Sequence, residues 1–209
     1  MTIETYIDNV IPFLKKWGVS MLLFVPGWIL VEQYWVSFNT NILFAVNYPY
    51  PFFLSPIFFI LDASTLLIHE GGHTIFGFLG WRFLTILGGS LMSWLIPFLI
   101  FVSAWYKNQR FVAQFSLFWL SYAWFSSAAY CMDAYHQNLP LIGNLPKSAH
   151  DYTNMLSMLN ILDKYQTVAW IMFVISFIIL ILCMIWPLFE KKDLETIDLS
   201  MELKKSGLR

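Results

Sequence analysis

Two histidines and a glutamate, held in the run His69-Glu70-Gly71-Gly72-His73, are the residues of this chain whose types and spacing suit joint chemistry. On a helix, side chains at i and i+4 stand about 40° apart around the axis and one turn apart along it. Two imidazoles so placed reach a single zinc ion at about 2.0–2.1 Å each. Glu70 stands about 100° around the helix from His69, beside such an ion, where it serves as a general base and not as a ligand. Zinc lowers the pKa of a bound water to about 7, and Glu70 would take the proton as the oxygen attacks a carbonyl. Gly71 and Gly72 leave room on the same helix for a substrate backbone or a neighbouring helix.

A catalytic zinc usually has three protein ligands and a water, so one ligand remains to be found. The candidates are Asp62, Asp133, His136, His150 and Asp151. Asp62 shares the histidine face but lies seven residues earlier, about 10 Å along the axis, which suits a hydrogen-bonded role better than coordination. Asp133 closes the apolar segment two after the motif, on the same side of the bilayer, and is the expected third ligand; otherwise it is an interfacial carboxylate. His150, folding back from the following loop, is the alternative ligand or a donor to the oxyanion. Asp151 precedes a plausible helix start and suits an N-cap, or a place supporting the ligands or the oxyanion. His136, one turn after Asp133, is a ligand, a partner to one, or an ordinary loop histidine. Lys147 and Tyr152 are weaker candidates for the electrophilic role.

The elements that must carry these residues follow from composition. Hydrophobic residues make up 58% of the 209 and charged residues 12%, against about 45–50% and 25% in soluble domains. The apolar residues come in long runs, and about 20 of them are needed to cross a bilayer as a helix. The chain therefore reads as an all-α, multi-pass helical bundle with five spans, over residues 17–36, 56–79, 83–105, 111–132 and 167–188. The proline-rich segment 39–56 reads as interfacial or re-entrant, with a sixth span as the alternative. Residues 1–189 form one expected membrane domain, and 190–209 a charged tail. Gly88-Gly89-Ser90 suits close helix packing. A net charge of -1 gives no reason to invoke nucleic acid. Cys131 and Cys183 both fall in apolar runs, where free cysteines behave as small hydrophobes. Two histidines and a carboxylate inside an apolar helix are costly to insert, and such residues mark function.

The run ILDASTLLIHEGGHTIFGFLGW, with an acidic residue two spans later at Asp133, resembles the site-2 protease class of zinc intramembrane metalloproteases. The resemblance extends over residues 56–158 and is specific at the five-residue motif. It implies that His69, His73 and Asp133 bind zinc, that Glu70 is the base, and that the substrate is a membrane protein or peptide cut in or near the bilayer. The chain departs from that class at Cys131-Met132-Asp133-Ala134-Tyr135, where the class usually has Asp-Gly and a nearby Asn-Pro. ILGGSLMSWLIP, YCMDAYHQNLPLIG and HDYTNML look like a compact bacterial branch, which implies a protein of the bacterial cytoplasmic membrane. Two other functions compete: a membrane metal-ion transporter, and a scaffold that keeps zinc for structure. Transport needs ionisable residues along several helices, and the first, third and fifth spans offer almost none.

Overall fold

The computed structural model describes residues 3–189, and every regular element among them is helical. Six α-helices follow in order: α1 (Ile3–Asn39), α2 (Ser55–Gly77), α3 (Arg82–Tyr106), α4 (Arg110–Met132), α5 (Asp151–Met158) and α6 (Tyr165–Ile185). Three stretches are long and apolar enough to cross a membrane: Val10–Asn39, Arg82–Tyr106 and Leu162–Leu188. They fit an integral membrane protein. α2 and α4 have comparable lengths, 23 residues each, but α2 carries Asp62, His69, Glu70 and His73, and α4 is rich in serine and tyrosine.

The first helix is longer than the apolar run implied. It continues through Pro12 and Pro26 for 37 residues. Between α1 and α2 the chain forms one short 3-10 turn, Ile42–Ala45, capped by the Asn41 side chain, and no α-helix. The dense prolines there deny the backbone donors and angles that a further helix needs. The charged tail expected over 190–209 lies outside the described residues.

α4 is the centre of the bundle. Fourteen of its residues are buried, among them Gln114, Phe118, Ser121, Tyr122 and Phe125. A helix covered by protein on all sides needs no lipid-facing surface, which explains its modest apolarity. Its serines and glutamine are spent on neighbours: Ser121 Oγ donates to the Ser176 carbonyl on α6 at 2.9 Å, and Gln114 Nε2 to Ser20 Oγ on α1 at 2.8 Å. α6 shows the opposite pattern. Ile171, Val174, Ile178 and Ile181 are exposed on its outer face.

α2 and α3 are joined by a tight turn at Gly80, whose φ of 68° suits glycine. They meet closest at Gly72 and Gly88. A Cβ added at Gly72 would lie 2.2 Å from the Gly88 carbonyl oxygen, so contact between the backbones requires glycine. Nothing lies within 4 Å of a Cβ added at Gly71. Gly72→Ala should therefore push the two helices apart and destabilise the protein by about 1–3 kcal/mol, whereas Gly71→Ala should be nearly neutral. Thermal unfolding in detergent micelles checks this; equal midpoints for the two variants would refute the close approach.

Candidate metal centre

His69 and His73 lie in the C-terminal half of α2, on the face turned toward α3 and α5. Their rings sit edge to face with centroids 4.7 Å apart. The space they occupy exists because position 89 is glycine: a Cβ there would stand 2.6 Å from the Nε2 of both histidines. The third member of the cluster comes from the start of α5. Asp151 Oδ2 lies 3.0 Å from His69 Nε2 and 3.3 Å from His73 Nε2. One donor atom from each residue falls within 4.8 Å of the others.

The hydrogen bonds fix what these atoms offer one another. His73 Nδ1 is 2.9 Å from the Thr85 carbonyl, which can only accept, so Nδ1 carries the proton and donates it. Nε2, the nitrogen left to bind a metal or to carry a second proton, then faces Asp151. In a neutral ring that atom would turn a lone pair on a carboxylate oxygen, a contact relieved by a second proton on the ring or by a cation between the two. Ligand atoms about 2.0–2.1 Å from one tetrahedral zinc are roughly 3.3 Å apart, close to the separations found here. Two nitrogens and a carboxylate oxygen also match zinc in chemistry, and the residues fit the ion. Burial of the Asp151 carboxyl opposes its charged form, but its hydrogen bonds with His69 and His73 outweigh this and hold its pKa below the ordinary carboxylate value.

Asp133, expected as the third ligand, is not brought to the histidines. It caps the end of α4, is 1% exposed, and accepts from the backbone amides of Asn138 and Leu139, both at 2.8 Å. Those bonds organise the loop that leads toward α5. His150, the alternative ligand, is also turned away. Its Nδ1 caps α5 by accepting from the Thr153 amide, and its Nε2 lies 3.6 Å from Asp133 Oδ2. With His150 in the cap position, Asp151 is the first helical residue and its side chain is free to reach α2. His136 is exposed and pairs with the Tyr165 hydroxyl at 3.2 Å, apart from the cluster. Lys147 donates to the Leu139 carbonyl and Tyr152 to Ser90 Oγ, so neither expected electrophile faces the histidines. The Tyr152 bond instead docks α5 on α3.

A residue that sequence reasoning passed over stands beside the cluster. Tyr130 lies with its ring centroid 6.5 Å from that of His69 and 4.2 Å from that of His150. Its hydroxyl oxygen accepts from the Asp151 amide at 3.2 Å, which leaves its own proton to give. His69, Glu70, His73, Tyr130 and Asp151 all line one cavity of about 760 Å³, which extends along α2 to Asp62 and the α1–α2 connection. No signal in a single sequence marks Tyr130 among ten tyrosines. No family model, curated protein or solved structure matches the chain.

The roles of the two aspartates separate by experiment. Loss of a partner that merely supports a metal ligand typically costs about 10–100-fold in affinity, so if Asp151 is itself a ligand, Asp151→Ala should cost more than that. Asp133→Asn should leave zinc affinity unchanged and lower the unfolding temperature, because one of the two loop amides loses its acceptor. Zinc titration and thermal melts of both variants decide it; full zinc affinity in Asp151→Ala would exclude that residue from the coordination sphere.

Proposed function

We propose that the protein is a zinc-dependent endopeptidase of the membrane, hydrolysing a peptide bond in or near the bilayer. The observation that carries this reading is the convergence of two imidazole nitrogens and the Asp151 carboxylate beside Glu70 on one large cavity. In this reading α1, α2, α3, α4 and α6 are the five spans of a multi-pass protein. α2 and α4 cross the bilayer despite their polar residues because neighbouring helices and the cavity receive those groups.

His69, His73 and Asp151 would hold the zinc, and His73 is kept in the required tautomer by the Thr85 carbonyl. A zinc ion there supplies a Lewis acid and brings a water to a pKa of about 7. Glu70 has no hydrogen-bond partner for its carboxylate among the described residues, so it is available to take the proton from the attacking water. It then returns that proton to the leaving amine. Tyr130, its oxygen already engaged by the Asp151 amide, donates toward the oxygen that gains charge. The substrate must lose helical structure locally before its carbonyl can be attacked, since a membrane helix satisfies its own backbone.

Glu70→Gln should keep zinc at the level of the parent protein and abolish cleavage of a membrane peptide in reconstituted vesicles. Normal cleavage by this variant would exclude the peptidase reading, and loss of zinc flux in its place would favour transport. Tyr130→Phe should lower kcat by about 10²–10³ with little change in KM. A change confined to KM would remove Tyr130 from the chemical step.

A further inference from the structure

We infer that the end of the cavity remote from the histidines is a subsite for a cationic side chain of the substrate, with Asp62 as its counter-charge. The inference rests on the peptidase reading for what occupies the cavity. Asp62 is the other acidic residue of α2, and it opens onto the same cavity as Glu70 and Asp151. Its Oδ1 accepts from the Tyr122 hydroxyl at 3.1 Å. No cationic side chain stands near it among the described residues, and its second oxygen has no donor. Asp62 is exposed, and on the reading that α2 spans the bilayer such a carboxylate is costly to leave without a counter-ion.

The walls around Asp62 suit one kind of counter-ion. Tyr34, Tyr50, Phe58 and Tyr122 line this end of the cavity. Tyr50 and Phe58 stack with centroids 4.2 Å apart, and Tyr50 gives its proton to Gln33 Oε1. These rings are packed on one another, so what they offer at Asp62 is a narrow, largely apolar wall in which the carboxylate is the charge that attracts a cation. The carboxylate favours guanidinium over ammonium, because the planar fork meets both of its oxygens. Zinc is a poorer match, since among the described residues no histidine or second carboxylate joins Asp62 there.

Distance places the subsite relative to the chemistry. Seven helical residues separate Asp62 from His69, about 10 Å along α2. An unwound substrate strand advances about 3.3 Å per residue, so the arginine would lie about three residues from the bond that is cut.

The test uses single-span peptides that scan one arginine along an otherwise neutral sequence, each with a citrulline counterpart of the same shape and no charge. Binding is measured to zinc-loaded, full-length Glu70→Gln protein in micelles, and cleavage by the parent enzyme is mapped by mass spectrometry. Arginine peptides should bind about 10- to 100-fold more tightly than their citrulline partners. Adding Asp62→Asn, which keeps an oxygen for Tyr122, should erase that difference, and Asp62→Glu should restore it. Cuts should cluster about three residues from the arginine. Equal binding of arginine and citrulline peptides, or a preference that survives Asp62→Asn, overturns the subsite. An Asp62-dependent preference without any cleavage by the parent enzyme would leave the subsite standing and remove the peptidase reading. Cleavage with no such preference would do the reverse.

Discussion

Two imidazole nitrogens and a carboxylate oxygen directed at one point are the constraint on which this structure turns. They need positive charge among them, a proton on a ring or a metal ion, and several parts of the fold hold them together. Glycine at position 89 makes the room, Thr85 fixes one imidazole, and Tyr152 docks the short helix that brings the carboxylate. Each device comes from a different element. The arrangement is thus a property of the whole bundle and not of the five-residue motif alone.

Helix α3 serves twice in this. Its glycines admit α2 at backbone contact, and the same close approach sets the Thr85 carbonyl within reach of His73. The bulk of the bundle is then organised around α4, whose Gln114, Ser121 and Tyr122 are turned toward protein. Exposed apolar surface lies instead on α1, α2, α3 and α6, as at Leu22, Leu67, Leu99 and Ile171.

Much of this was legible beforehand. Length and apolarity predict helices over 56–79, 83–105 and 111–132, and the structure has them at Ser55–Gly77, Arg82–Tyr106 and Arg110–Met132. The spacing of His69 and His73 predicts their shared face. What local pattern cannot decide is which of two adjacent residues caps a short helix. Aspartate is the commoner cap, so the pair His150-Asp151 reads most naturally with Asp151 in that place. The structure gives the cap to His150, and the shift of one position redirects Asp151 toward α2. Asp133 misleads for a related reason. A carboxylate at a helix end is equally suited to binding a cation and to gathering loop amides, and only the path of residues 138–139 reveals the second use. A hydrogen-bonded role for Asp62 is expected from its distance along α2, but its partner Tyr122, like the place of Tyr130, depends on contacts between helices far apart in sequence.

The span of chain enclosed by the cluster also bears on how the protein is made. His69 and Asp151 are separated by 82 positions, and two long helices are synthesised between them. During translation the histidine pair emerges well before its carboxylate partner exists. The triad closes only once α3 and α4 have been laid down and α5 has docked, so a half-made chain holds the two histidines without their carboxylate.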